Sequence, residues 1–217
     1  MHTVRRIRIL LLLIIAGLFV MGVVAGPYGV PDTANVRVYI PSPRTCYFRV
    51  EVKTDSIVFG DFPGWCVDLD HTINVNQWYA ASLYVMETTG TWGKINWILN
   101  NKGSNWKVTQ MAIWLVLGYD WDKITPEMNK WGGYTDAEKT EAINKASAAD
   151  SNFIPGPGQI VAVFADAWEP PRVTKVQELI FEYPKPSGGV PEFSEGIPAI
   201  ASLTLVSYVL LKRRLKS

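Results

Sequence analysis

Apolar and polar side chains alternate with period two over residues 46–53. Cys46, Phe48, Val50 and Val52 share one face and Arg49, Glu51 and Lys53 the other, which predicts a half-buried strand. Residues 35–40, 56–59, 65–69 and 78–85 read as further strands, parted by Pro, Gly and Asp turn signals such as Asp61-Phe62-Pro63-Gly64. From Trp92 the period changes. Ile95, Ile98 and Leu99 recur at helical spacing, and so do Val108, Met111, Ala112 and Leu115 after a break at Gly103-Ser104-Asn105. Thr125-Pro126 predicts a short third helix with proline at its first position, and Thr135 with Glu138 a capping-box start for a fourth, running to about Ala149. Pro155-Gly156-Pro157-Gly158 closes the helical insert, about 92–149, and strand-like composition returns at 160–165 and 173–182. Strands, then helices, then strands predict an α+β domain: an antiparallel β-sandwich or barrel-like body with an inserted helical segment.

The two ends differ from this body. Arg5, Arg6 and Arg8 precede an apolar run over 9–24 that ends at Val23-x-Ala25, which reads as a secretory signal peptide over 1–25. A second apolar run, 196–211, stops at Lys212-Arg213-Arg214-Leu215-Lys216. It is short against the roughly 20 residues that span hydrocarbon comfortably, and its basic end belongs on the cytoplasmic side. The expected order is therefore a signal (1–25), an exported domain (26–183), a short Pro/Gly linker (184–190) and a C-terminal segment with a membrane helix (191–217). At about 3.1 Å per residue, the stretch from Tyr183 to Val190 reaches only about 25 Å. The domain is expected at the cell surface, close to the membrane.

Between Gly26 and Val190 there are 14 Lys and Arg against 18 Asp and Glu, a formal balance of −4. Nucleic-acid binding, which needs a concentrated basic face, is not indicated. The chain holds two histidines, and His71 is the one that remains beyond the signal, too few for a zinc hydrolase site. Nothing in the sequence asks for a metal or a cofactor, and no catalytic turnover is expected. An exported location permits a disulfide between Cys46 and Cys66, the two cysteines of the chain.

Cys66, in Trp65-Cys66-Val67-Asp68, has a second possible partner. Gln110 lies 44 positions on, in Thr109-Gln110-Met111-Ala112-Ile113-Trp114 on the second predicted helix. A thiol and a carboxamide condense, with loss of ammonia, into a thioester. That bond is an electrophile held inside a fold, and an amine or hydroxyl on a surface protein or glycan is the partner it would capture. Such a bond must be kept from water. Trp65 adjoins the cysteine, and Trp106 and Trp114 lie four residues either side of the glutamine, on its helical face. Asp68 and His71 are candidates for moving protons during formation or attack. Fixed geometry supplies much of the barrier reduction, up to roughly 7–11 kcal/mol in favourable intramolecular cases. Two other readings compete: a non-covalent glycan binder using nine tryptophans and nine tyrosines as stacking surfaces, and a passive envelope protein whose Cys46 and Cys66 form the disulfide.

On the Trp65-Cys66-Val67-Asp68 and Thr109-Gln110-Met111-Ala112 motifs, the chain resembles the thioester domain, also called the TQXA domain, of Cys-Gln thioester-forming surface proteins. The resemblance covers roughly 36–183 and implies a reactive thioester between Cys66 and Gln110 and covalent adhesion. Trp65 stands where that family more often has Tyr or Phe. Val190-Pro191-Glu192-Phe193, followed by the apolar run and the Arg-rich tail, resembles the PEF-CTERM sorting signal of archaea. That likeness implies processing near Pro191, Glu192 and Phe193 by an archaeosortase-type enzyme and exchange of the tail for another membrane attachment.

Overall fold

The computed structural model describes residues 27–54, 58–169 and 174–187. The predicted signal, the C-terminal apolar run and the Pro191-Glu192-Phe193 motif lie outside them. Among the described residues no helix is long and apolar enough to cross a membrane.

Six antiparallel strands form a closed barrel: β1 (Thr33–Tyr39), β2 (Phe48–Lys53), β3 (Val58–Cys66), β4 (Trp78–Val85), β5 (Ile160–Trp168) and β6 (Leu179–Pro184), in the order β1-β2-β3-β6-β5-β4. Of the two expected architectures, sandwich or barrel, the chain adopts the barrel. Closure leaves the sheet without a free edge, and period-two patterning fills the interior with Val36, Val38, Val50, Val52, Tyr79, Ala81, Val163 and Phe181.

Four helices fill the connection from β4 to β5: α1 (Thr91–Asn100), α2 (Trp106–Val116), α3 (Trp121–Asn129) and α4 (Asp136–Ala148). Because β4 and β5 are neighbours in the sheet, the insert leaves the barrel and returns to the adjacent strand. Local chemistry sets the helix starts. Asn105 caps α2 by accepting from Lys107 N, Asp120 caps α3 by accepting from Lys123 N, and Thr135 with Glu138 forms the expected capping box of α4. The third helix begins earlier than its proline signalled: Trp121 is its first residue and Pro126 lies inside it. An interior proline donates no backbone hydrogen bond.

Three strand expectations need correction. Residues 56–59 and 65–69 are not separate strands around a turn, because Val58–Cys66 runs through Asp61-Phe62-Pro63-Gly64 as one strand. Pro63 is tolerated there because the position facing β6 next to it is unpaired: pairing of β3 with β6 begins at Gly64, opposite Phe181. Gly64 is required by close approach, since a Cβ there would lie 2.4 Å from Val50 Cγ2 and 2.8 Å from Phe48 Cδ2. The strand expected over 46–53 starts at Phe48, and Cys46 and Tyr47 bend away before it. Likewise β6 starts at Leu179, and the backbone at 174–178 is irregular apart from a bridge between Lys175 and Trp168.

The candidate thioester site

Cys66 is the last residue of β3. Its pairing with Leu179 holds it against β6, and Val67 N donates to Glu178 O on that same side. On the other side β2 has ended, because the last β2–β3 pair is Phe48 with Gly64. Two residues further on, the N–H and C=O of Cys66 face a gap where β2 would have continued. A side chain fills it. Gln110 Oε1 accepts from Cys66 N at 3.0 Å, and Gln110 Nε2 donates to Cys66 O at 2.8 Å. The carboxamide thus replaces one missing peptide of the sheet, and the backbone it pairs with fixes which end is oxygen and which is nitrogen.

The helix that delivers Gln110 is built for this depth. Residues Val108, Thr109, Gln110, Met111, Ala112, Ile113 and Trp114 of α2 are all buried, so α2 is enclosed on every side rather than half-exposed. A buried carboxamide without partners costs roughly 1–3 kcal/mol in lost hydrogen bonding; the Cys66 backbone supplies the partners. Both Cys66 and Gln110 are 0% exposed.

The sulfur has its own surroundings. Cys66 Sγ–H donates to Asp68 O at 3.0 Å, and Gln177 Nε2 donates to the sulfur at 3.0 Å and to Asp68 O at 2.9 Å. Burial pushes the Cys66 thiol well above its ordinary pKa, while its hydrogen bond with Asp68 and the Trp114 indole N–H pull it back. Trp114 Nε1 lies close enough to bear on the thiol's titration, but it is buried without a hydrogen-bond partner. Cys46 and Cys66 are both free thiols in this structure, each buried. Cys46 Sγ donates to Phe48 O at 3.0 Å, and the disulfide considered for this pair is not formed.

The other candidates separate into near and far. Trp114 lies near the sulfur without hydrogen-bonding it. Trp106 forms an outer layer with Tyr47 and Trp131, in which Tyr47 meets Trp106, Trp114 and Trp131 edge-on at 6.0, 5.7 and 5.7 Å. Trp65, expected to shield the cysteine it adjoins, points to the opposite face of β3, since neighbours on a strand alternate. Its Nε1 donates to buried Glu182 at 2.8 Å, and Lys102 neutralises that carboxylate at 2.6 Å. Asp68 and His71 pair with one another, Oδ2 to Nδ1 at 2.6 Å, and Asp68 Oδ1 also accepts from Asp70 N. Asp68 meets the thiol through its backbone carbonyl.

Sequence reasoning passed over three participants. Gln177 carried no motif and lies in irregular backbone; its closeness to Cys66 follows from the Cys66–Leu179 register. Arg44 plugs the aromatic layer, its guanidinium 4.0 Å from the ring centroids of both Trp106 and Trp131, and its Nη2 donates to Tyr47 O at 2.6 Å. Glu127 accepts from Tyr47 OH at 2.6 Å and from Trp131 Nε1 at 3.2 Å.

Burial works to raise the Glu127 carboxyl, but hydrogen bonds from Lys130, Tyr47 and Trp131 outweigh it and hold the group below its usual value. Its folded-state pKa is depressed, so its contribution is complete above the unfolded value of about 4.3 and is lost as pH falls through the folded one. Thermal unfolding followed from pH 7 to pH 3 should show a smaller loss of midpoint in Glu127→Gln than in the wild type.

No protein-family model matches the chain, and no curated protein matches it. Among solved structures it is similar to the N-terminal thioester domain of fibronectin-binding protein SfbI from Streptococcus pyogenes, at 14% identity and a TM-score of 0.39, over 70% of this chain and 93% of that one.

Proposed function

We propose that this is an exported, membrane-held surface protein in which Cys66 and Gln110 form an internal thioester for covalent attachment to an amine or hydroxyl on a neighbouring protein or glycan. The observation that carries the reading is the two-point pairing of the Gln110 carboxamide with the backbone of the residue that bears the thiol. Formation releases ammonia. The Cys66 sulfur, losing its proton, adds to Gln110 Cδ, the negative charge gathers on Oε1, and Nε2 departs with the proton. Cys66 N–H already donates to that oxygen, so it serves as the donor that steadies the developing oxyanion.

Opening runs through the same centre. An incoming nucleophile adds to Gln110 Cδ, the C–S bond breaks, and an amide or ester to Gln110 remains beside a free Cys66 thiol. The bond is spent once, which is attachment rather than turnover. Export through the 1–25 signal, and processing at Pro191-Glu192-Phe193 by an archaeosortase-type enzyme, complete the proposal and place the domain near the membrane. The glycan-binding reading draws less support, because Trp65 and Trp114 are fully buried and the other seven tryptophans partly so.

Methylamine is the direct test. Wild-type protein should gain one methylamine at Gln110, mapped by peptide mass, and Cys66→Ala should gain none; a wild type with an unreacted Gln110 amide refutes the proposal. Arg44→Ala should open the aromatic layer to water. Its thioester, followed by intact mass in buffer without amine, should hydrolyse several-fold faster than that of the wild type. Its stability should fall by about 1 kcal/mol, the scale of a partly desolvated cation–π contact.

A further inference from the structure

Gln177 is 8% exposed, and its amide nitrogen sits at hydrogen-bond distance from the sulfur that attacks when a thioester is made and departs when it is broken. Its place is set by the backbone. Gln177 N donates to Thr72 O, Glu178 O accepts from Val67 N, and Leu179 pairs with Cys66, so the residue is pinned two positions before the register that fixes the cysteine. Its side-chain orientation is also determined. Asp68 O is an acceptor only, so the end of the carboxamide that meets it at 2.9 Å is the N–H₂ end, and its second hydrogen is directed to the sulfur.

From this geometry we infer that Gln177 is a catalytic residue of the thioester reaction, donating to the Cys66 sulfur as it becomes a thiolate. The inference rests on the thioester reading and adds a residue that no motif marks. A thioester sulfur is a poor acceptor and a thiolate a strong one, so a fixed N–H here strengthens as the C–S bond breaks and contributes where charge develops. During opening the nucleophile's electron pair goes to Gln110 Cδ, and the C–S pair goes to sulfur beside Gln177. The proton shed by the attacking amine ends on sulfur, where Asp68 O accepts it as in the free thiol. Formation uses the same donor in reverse, favouring the thiolate that attacks the carboxamide. Asp68 O alone would satisfy a purely structural glutamine through one hydrogen; the second, on sulfur, serves the reaction.

The test compares wild type, Gln177→Leu and Gln177→Glu, each confirmed as folded by its unfolding midpoint. Intact mass follows both the loss of ammonia and the rate of opening by hydroxylamine, whose free base persists in mild acid, with rates corrected to that free base. Gln177→Leu should open about tenfold more slowly. That is less than the roughly 10²–10³-fold cost of losing an oxyanion donor, because sulfur accepts hydrogen bonds more weakly than oxygen. Gln177→Glu keeps the shape but sets a carboxylate against the departing thiolate. It should be slowest at neutral pH and recover as the solution is acidified and the carboxyl becomes a donor, a pH signature that packing alone does not produce. If both variants open within twofold of the wild type at every pH, the role of Gln177 is overturned and the thioester stands. If wild-type protein never loses ammonia, the thioester reading falls, and the role of Gln177 with it.

Discussion

Gln110→Ala should abolish methylamine uptake and also be less stable than Cys66→Ala, which keeps the whole carboxamide, by roughly 2–6 kcal/mol. The alanine has no acyl group to offer the sulfur, so the loss of labelling is complete. The stability cost has a separate origin. Truncation leaves both the N–H and the C=O of Cys66 buried without the partners they have at 3.0 and 2.8 Å, and each orphaned group costs about 1–3 kcal/mol. Urea unfolding of Gln110→Ala against Cys66→Ala separates the two effects. Both variants lose the bond, but the carboxamide remains on the backbone in Cys66→Ala, which should be the more stable of the two.

Trp114→Ala should lose about 3–5 kcal/mol, the usual cost of emptying a buried tryptophan site. The ring is 0% exposed and meets Tyr47 edge-on at 5.7 Å, and its N–H is buried without a partner. The cavity lies beside the Cys66 sulfur and the Tyr47 ring whose hydroxyl meets Glu127, so it should admit water and shorten the life of the thioester. Trp114→Phe separates volume from chemistry. It should retain most of the stability in urea unfolding and open with amine at close to the wild-type rate, because the Trp114 N–H makes no hydrogen bond.

The outer parts of this fold were legible in the sequence because they depend on local chemistry. Strand-like composition at 78–85 marks β4, and the Thr135/Glu138 spacing marks the start of α4, since a capping box is made by residues three apart. The failures fall where tertiary neighbours decide. Pro63 and Gly64 carry turn composition, yet lie within β3, because the proline stands where β6 does not yet pair and the glycine where Phe48 and Val50 crowd in. Pro126 marked a helix but not its start, which the Asp120 side chain defines.

The site divides the same way. Cys66 and Gln110 were recognisable from residue type and motif, and the structure places the carboxamide on the cysteine's backbone. Trp106 and Trp114 followed from helical spacing, although only Trp114 lies near the sulfur and Trp106 belongs to the outer layer with Tyr47. Trp65 was misjudged as a shield because sequence adjacency on a strand means opposite faces; the ring is committed to Glu182. Arg44, Glu127 and Gln177 were invisible, since each meets the site through a contact far along the chain: Arg44 with Trp106 and Trp131, Glu127 with Tyr47, and Gln177 with Cys66.

The most direct measurement is the intact mass of freshly purified protein that has met neither amine nor reductant, followed by peptide mapping of the linkage. A mass lighter than the sequence by one ammonia, with the Cys66 and Gln110 peptides joined, is the predicted result. A full sequence mass with a free Cys66 thiol and an intact Gln110 amide, or a mass short by only the two hydrogens of a Cys46–Cys66 disulfide, would contradict it.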